Sequence, residues 1–258
     1  MIRRLDLLLV NAPSRIAVYG DLARDFAAIE PPVWAGLIAR YCLNRGFTVE
    51  ILDAEVEYIP DEITPLDVEQ TAWQIALSAP RIAVFCVYGQ QPSASTQCLP
   101  AASAVVRELN KLRPDIHTLA LGTHPSALPE RTLREEPFDY VCQGEGPHQV
   151  VGLLNRLEGA VKEIPGLWWL LDKPTTHMRQ EQNITDLDAE LPGQAWELLD
   201  LKRYRAHNWH LWTGDPAGGY ASVQTSLGCP FKCLHGDTLI DTVYGSIPIK
   251  ELVDRSSI

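Results

Sequence analysis

The strongest constraint on the fold is a regular order of short apolar runs, each followed by a polar or glycine-bearing loop. Five such runs occupy residues 5–10, 47–52, 81–88, 117–121 and 140–142. Short apolar runs bounded by turn residues are typical of strands that are buried on both faces of a parallel sheet. The run at 81–88, RIAVFCVY, is the most strand-like of them.

Stretches with helical spacing of apolar residues lie between these runs. The first opens at Pro31-Pro32 and closes at Asn44-Arg45-Gly46, with proline and glycine placed as they are at helix ends. Further helices are predicted at residues 68–77, 93–112, 128–135 and 148–157, and residues 15–30 are predicted to form a loop. Strands that alternate with helices predict an α/β fold with a doubly wound parallel sheet.

In such a sheet, ligands bind outside the carboxyl ends of the strands. The loops at that edge are residues 11–14, 53–57, 89–93, 122–126 and 144–146. Their glycines do not form GxGxxG, so a dinucleotide fingerprint is absent, and no P-loop or serine elbow occurs. Gly122 and Gly144 either let a ligand approach the backbone or only allow a tight turn. His124, a single histidine at a strand end, more often forms loop hydrogen bonds than binds a ligand.

The chain changes character after residue 160. Residues 164–174 (IPGLWWLLDKP) predict two strands joined by a turn, and residues 183–196 predict a proline-broken connector. A short helix is expected at 199–206 and a strand at 220–225. We therefore divide the chain into an α/β domain at 1–160, a linker with a small hairpin at 161–220, the start of a second domain at 221–232, and a distinct β-rich segment at 233–258.

Charge and composition exclude several classes of function. The formal net charge of −11 disfavours non-specific binding to nucleic acid or to an anionic membrane surface. The first apolar run contains Asp6 and lacks a cleavage site, so it predicts a buried strand, and no stretch is long enough to span a bilayer. Six cysteines without a secretory signal indicate a reducing compartment, and we expect the cytoplasm. Four of them fit buried positions in helices and strands: Cys42, Cys86, Cys98 and Cys142.

Several segments together resemble the cobalamin-binding domain at the front of radical SAM enzymes. They are NAPSR, EPPVWAGLIARYCLNRGFTVEILDAE, GTHPSALPE and DYVCQGEGP, in this order, followed by TSLGCPFKC. The resemblance implies a Rossmann-like domain that holds cobalamin at its strand ends. It assigns cofactor binding to Tyr88, Gly89, Ser93, Gly122, Thr123, His124, Pro125, Gly144, Glu145 and Gly146. The DxHxxG motif of the cobalamin mutases is absent, so cobalt coordination by His124 is not implied.

The same resemblance implies an iron–sulfur cluster motif, CxxxCxxC, because close thiolates suit such clusters. Cys229 and Cys233 supply its first half, but the third position is Gly236, and no cysteine follows. As written, the chain cannot complete a 4Fe–4S cluster, so a cluster and S-adenosylmethionine are expected only in a complete enzyme. A redox role for the pair is disfavoured by its CxxxC spacing.

The segment from Cys233 onward, CLHGDTLIDTVYGSIPIKEL, resembles the N-terminal splicing block of an intein. The resemblance implies that the Cys233 thiol attacks the carbonyl of Lys232, and that Asp237, Thr238 and the hairpin around Gly245 open the block. The implied partner is a complementary fragment with the rest of the intein and of the enzyme, or else the gene product is truncated. The alternatives are an ordinary β-hairpin tail, and a cofactor- or protein-binding α/β module with a nucleotide-like ligand or none and without a cluster.

Overall fold

The computed structural model describes residues 4–21, 23, 28–56, 65–89, 94–159, 164–170, 174–176, 184–205, 219, 221–223, 239–242 and 245–248. The chain forms two compact units, Met1–Val223 and Gln224–Ile258. Among the described residues, no helix has the length and apolar character needed to cross a membrane.

The first unit is built on a seven-stranded sheet with the order β2-β1-β3-β4-β5-β6-β7. The strands are β1 Leu7–Asn11, β2 Val49–Asp53, β3 Ile82–Val87, β4 His117–Gly122, β5 Tyr140–Cys142, β6 Leu167–Leu170 and β7 Pro174–Thr176. The first five pair in parallel, and β6 and β7 continue the sheet as antiparallel strands. This topology confirms the predicted doubly wound parallel sheet.

Helices connect the strands. They are α1 Arg15–Tyr19, α2 Val33–Leu43, α3 Val68–Ser78, α4 Ala94–Leu112, α5 Thr123–Ala127, α6 Pro129–Glu135, α7 Pro147–Leu157 and α8 Leu187–Glu190. Helix α3 begins at a capping box, in which the Asp67 side chain accepts from the Gln70 amide (2.6 Å) and the Gln70 side chain accepts from the Asp67 amide (3.0 Å). Helix α4 contains Pro100 in its interior.

The core explains why the central strands are continuous apolar runs. Every residue of β3 is buried, because the strand lies inside the sheet and has helices on both faces. Successive side chains of a strand point to opposite faces, and Leu8, Val10 and Phe85 join the buried cluster that includes residues of α3 and α4. Cys42, Cys86, Cys98 and Cys142 are buried free thiols, as predicted.

The structure corrects four sequence predictions. Residues 15–19 form helix α1 and residues 123–127 form helix α5, where loops were predicted. The predicted hairpin at 164–174 is real, but its strands extend the main sheet. Residues 221–223, predicted to lie in a strand, have no regular structure, and the Ser222 carbonyl accepts a hydrogen bond from the Gln194 side chain (2.7 Å) instead of from a strand.

The second unit contains an antiparallel pair, β8 Leu239–Thr242 and β9 Gly245–Pro248. Thr242 pairs with Gly245 and Leu239 pairs with Pro248, so the two strands form a hairpin. A hairpin is expected both for an intein block and for an ordinary tail, so this element does not distinguish them.

Candidate functional site

A cleft opens between the carboxyl ends of β1 and β3. The chain leaves β1 toward β2 on one side and later enters β3 on the other, so this is the point where the strand order reverses and where ligands of such sheets bind. The cleft is lined by the end of β1 and the following loop, by the end of β3, and by one side of α4: Val10, Asn11, Ala12, Ser14, Phe85, Cys86, Val87, Tyr88, Cys98 and Ala102. Its walls are mainly apolar, with an amide and two hydroxyl groups.

Tyr88 lies where the chain leaves β3 and stacks on Trp34 in the first turn of α2. The two rings are 5.2 Å apart between centroids and inclined by only 12°. Burial raises the pKa of the Tyr88 phenol well above its usual value, and the nearby Cys86, Cys142 and Glu145 raise it further. Tyr88 therefore stays a neutral phenol, and the stacked pair offers a rigid aromatic surface at the cleft.

The ends of β3 and β4 are joined through Ser95 in the first turn of α4. Its buried hydroxyl donates to the Val87 carbonyl and accepts from the His124 amide (3.0 Å). Gly122 is required here: its φ is +156°, and a Cβ atom would lie 2.1 Å from the Val87 oxygen. Gly122 thus allows the end of β4 to pack closely against the end of β3.

The imidazole of His124 is hydrogen-bonded to a residue of α4. Its Nδ1 lies 2.9 Å from the Thr96 hydroxyl. Pro125 beside it is buried, and Thr123 is exposed. These residues belong to α5, which begins directly after Gly122. The histidine therefore has the local hydrogen bond that the sequence favoured, and its ring is fixed at the carboxyl edge of the sheet.

The loop after β5 is hydrogen-bonded to helix α5, which follows β4. The Gly144 amide donates to the Ser126 hydroxyl (2.8 Å). Gly146 has a φ of +103°, and a Cβ atom there would lie 2.6 Å from Leu121 Cδ1. Glu145 accepts a hydrogen bond from the Ile184 amide (2.7 Å), so its carboxylate is used to hold the connector.

The predicted residues that the structure describes therefore lie at the ends of three adjacent strands. Those after β3, β4 and β5 are brought to one edge: Tyr88, Gly89, Gly122, Thr123, His124, Pro125, Gly144, Glu145 and Gly146. Gly89 packs so closely on α4 that a Cβ would meet the Ala94 Cβ at 2.1 Å. Ser93, Lys232, Cys229 and Cys233 lie outside the described residues, as do Gly236, Asp237 and Thr238.

A second set of polar residues at this edge was not singled out from the sequence. Asp53 at the end of β2 is buried, and it accepts hydrogen bonds from the Asn11 side chain (2.7 Å) and the Tyr204 hydroxyl (3.0 Å). Glu55 is also buried and accepts from the amides of Ser14 and Arg15, both at 2.6 Å. The loops 11–14 and 53–57 were predicted to lie at the carboxyl edge of the sheet. The presence of Asn11, Asp53 and Glu55 in these loops could have indicated a polar cluster there.

Burial shifts the pKa values of both carboxyl groups. It raises the pKa of Asp53 to about 7, with Glu55 adding to the rise and the hydrogen bonds from Asn11 and Tyr204 opposing it. Burial also raises the pKa of Glu55, against the hydrogen bonds and charge of Arg15 and the Ser14 amide. The residues of the described chain contain no group of three or more His, Cys, Asp or Glu placed to hold a metal ion.

The lining of the cleft, with apolar side chains, a neutral phenol and amide and hydroxyl groups, suits the hydrogen-bonding groups of an organic ligand, such as the amides of cobalamin, better than a bare metal ion. The carboxylates of Asp53 and Glu55 do not line the cleft and are hydrogen-bonded within the protein. Pockets with apolar walls and a few polar groups are typical of cofactor sites.

A curated protein matches about half of the chain. The chain is 30% identical over 146 residues to the "Uncharacterized methyltransferase PH0819" of Pyrococcus horikoshii, an alignment that covers 55% of this chain and 29% of that protein. This chain thus spans less than a third of the length of its curated relative.

Two solved structures are similar to part of this chain. The cobalamin-dependent S-adenosylmethionine radical enzyme OxsB, with aqua-cobalamin bound, has a TM-score of 0.52 and 16% identity over 75% of this chain and 24% of its own. The radical S-adenosylmethionine methyltransferase TsrM of Kitasatospora setae has a TM-score of 0.49 and 20% identity over 69% of this chain and 31% of its own. At these identities the OxsB likeness establishes the fold, and the lower TsrM score adds nothing to it.

A family model, the B12 binding domain, matches residues 20–154. The match includes β2 to β5, the helices between them and most of α7, and it covers 135 of the 258 residues. The chain belongs to the B12-binding domain family.

Proposed function

We propose that this chain binds cobalamin at the carboxyl edge of its sheet and is the N-terminal portion of a radical SAM enzyme of the methyltransferase type. The observation that carries the proposal is the family match over residues 20–154. The matched region supplies the loops after β3, β4 and β5, which meet at one edge beside the β1/β3 cleft. We assign the cofactor contacts to the loop residues 88, 89, 93, 122–125 and 144–146.

Titration of the purified chain with hydroxocobalamin tests the proposal. We expect a change in the visible spectrum that saturates at one cofactor per chain, and cobalamin that stays with the protein on gel filtration. An unchanged spectrum together with complete loss of cobalamin on gel filtration would contradict the proposal and leave the α/β module with another ligand or with none.

The second part of the proposal concerns Cys229 and Cys233. It is supported by their CxxxC spacing and by relatives that are named as a methyltransferase and as radical S-adenosylmethionine enzymes. We propose that residues 221–232 begin the radical SAM domain, whose 4Fe–4S cluster forms once a third cysteine is supplied. Iron and sulfide analysis after anaerobic reconstitution should give four of each per complete enzyme, and a Cys229→Ala variant should lose them.

The third part is that an intein begins at Cys233. The support is the sequence of residues 233–252 and its position within the interrupted cluster motif. The Cys233 thiolate would attack the Lys232 carbonyl, the Cys233 amide nitrogen would leave as a free amine after protonation, and a thioester would join Lys232 to the Cys233 sulfur. If the chain is one half of a split precursor, a complementary fragment would supply the rest of the intein and of the enzyme.

Thiol-induced cleavage tests the intein. With the complementary fragment and an added thiol, we expect a product that ends at Lys232 as a thioester of that thiol. The Cys233→Ala variant serves as the matched control and should remain intact. If the unmodified chain also stays intact with a fragment that splices other precursors, residues 233–258 are an ordinary hairpin tail.

A further inference from the structure

The connector after the main sheet returns to the cofactor edge. Residues 184–205 pass along α2, where the Ala195 amide donates to the Gly36 carbonyl (3.0 Å). The side chain of Gln194 packs on Gly36 so closely that a Cβ atom on this glycine would lie 2.7 Å from the Gln194 Oε1. At its end, Arg205 and Ile29 exchange two backbone hydrogen bonds of 2.9 Å. The connector is thus hydrogen-bonded to α2 at Gly36 and to the segment before α2 at Ile29.

Tyr204 is the connector residue that reaches into the polar cluster at this edge. It is only 3% exposed and packs in a small apolar cluster with Ile29 and Val56. Its hydroxyl donates to Asp53 Oδ2 at 3.0 Å, across 151 positions of sequence. The contact is therefore buried and specific in its geometry.

Asp53 connects Tyr204 to the cleft through its second carboxylate oxygen. Its other oxygen, Oδ1, accepts from Asn11 Nδ2 (2.7 Å) and from the Glu55 amide (3.2 Å). Asn11 itself lines the cleft. One carboxylate thus fixes the side chain of a cleft residue and the backbone that carries Glu55.

Glu55 in turn holds the loop that forms the same wall. Its Oε1 accepts from the amides of Ser14 and Arg15, and its Oε2 lies 3.4 Å from Arg15 Nε. Ser14 also lines the cleft. An unbroken series of hydrogen bonds therefore runs from the Tyr204 hydroxyl through Asp53 and Glu55 to the loop after β1.

We infer that Tyr204 is a positioning residue for the cofactor cleft, which acts through Asp53 on Asn11 and on the loop that Glu55 holds. The inference rests on the proposed function, because its effect on the ligand is read as cobalamin affinity. Tyr204 is not one of the residues that line the cleft. It holds the carboxylate of Asp53, which in turn orients Asn11 in the cleft wall.

The charge state of Asp53 provides a direct readout of the Tyr204 contact. Besides Tyr204, ionisable groups that interact with the carboxylate pair include Arg15, which faces Glu55, and Cys98 on α4, which interacts with Glu55. Arg203 lies nearby but donates to the Val56 carbonyl (3.4 Å) and pairs with Asp200 (3.3 Å). Since the Tyr204 hydroxyl stabilises the charged form of Asp53, its removal raises the pKa of Asp53.

The experiment compares Tyr204→Phe with a matched control, Tyr41→Phe. Tyr41 is also a buried tyrosine, 2% exposed, and its hydroxyl lies 2.9 Å from His148 Nδ1, away from Asp53. The Asn11 side-chain amide is followed by ¹⁵N NMR as the pH is changed, with its resonance assigned by an Asn11→Ser variant. Hydroxocobalamin affinity is measured for the same proteins.

We expect the Asn11 resonance to titrate near pH 7 in the unmodified chain and at higher pH in Tyr204→Phe. Cobalamin binding should weaken about threefold to tenfold in Tyr204→Phe, the range expected for the loss of one ordinary hydrogen bond. Tyr41→Phe should change neither. In an Asp53→Asn background, the Tyr204→Phe change should have little further effect on affinity.

The outcomes separate the two proposals. Absence of cobalamin binding by the unmodified chain overturns the proposed function, and this inference with it. Binding by the unmodified chain together with an unchanged affinity in Tyr204→Phe, or an unchanged Asn11 titration, overturns only the positioning role of Tyr204.

Discussion

The Gly144 amide donates a hydrogen bond of 2.8 Å to the Ser126 hydroxyl, which ties the loop after β5 to the short helix after β4. We predict that Ser126→Ala releases Gly144 and loosens this part of the edge, because the amide loses its partner. Hydrogen exchange at Gly144 should accelerate by about tenfold, the equivalent of one hydrogen bond of about 1.4 kcal/mol. Unchanged exchange at Gly144 would show that the loop is held in another way.

Gly122 should tolerate no side chain. In Gly122→Ala, the new Cβ would meet the Val87 oxygen at 2.1 Å, and φ is +156°, so we expect a loss of about 3 kcal/mol in the free energy of unfolding. Gly159→Ala is the matched control, since Gly159 has a φ of +83° with no atom within 4 Å of the Cβ position. It should lose only about 1 kcal/mol. Equal losses in denaturant unfolding would contradict the packing argument.

We predict that Ser95 contributes more to the free energy of unfolding than Ser103, a similarly buried serine on the same helix. Ser95→Ala removes the hydroxyl between the Val87 carbonyl and the His124 amide, and we expect a loss of about 2 kcal/mol in unfolding free energy. Ser103 is also fully buried, but its hydroxyl has no partner among the described residues. Ser103→Ala should therefore be neutral or slightly stabilising. Thermal and denaturant unfolding of the two variants side by side checks this difference.

The stability of the chain should fall as the pH rises from about 4 to about 7. The pKa of Asp53 is raised from 3.8 to about 7 in the folded chain, so between these values the folded state holds a proton that the unfolded state has lost. This favours the folded state at low pH, and the advantage is lost with a slope of up to about 1.4 kcal/mol per pH unit. Glu55, whose pKa burial also raises, acts in the same direction.

Comparison of the chain with Asp53→Asn isolates this effect. The variant should show a flatter dependence of unfolding free energy on pH between 4 and 7, whatever its absolute stability. The same slope in both proteins would mean that Asp53 is not the group that takes up the proton.

The strands and helices of the sheet could be predicted well because each one is marked by residues within its own segment. The all-buried β3 and the proline and glycine that flank α2 are visible in single segments, and both elements lie where they were predicted. Helix α1 was missed because five residues are too few to show a helical period, and its first amides are held by Glu55, 40 positions away. For the same reason, nothing in the sequence near Tyr204 indicates its contact with Asp53.

The location of the carboxyl-edge loops could be predicted from the sequence, but most of the contacts that these loops make could not. The edge loops follow from the strand order, which is set by the apolar runs and the topology rules of parallel sheets. The roles of Gly122 and Gly89 as close-packing positions depend on Val87 and Ala94, which are brought near only by strand pairing and by the return of α4. Contacts of this kind depend on the folded arrangement and not on the spacing of residues.

The proline inside α4 has a consequence for the edge. Pro100 has no N–H, so the carbonyl of Thr96 has no donor four residues along the helix. The first turn of α4 thus lacks one hydrogen bond to the next turn, while Ser95 and Thr96 within it are hydrogen-bonded to Val87 and His124. The orientation of this turn therefore depends on the ends of β3 and β4 as well as on the rest of the helix.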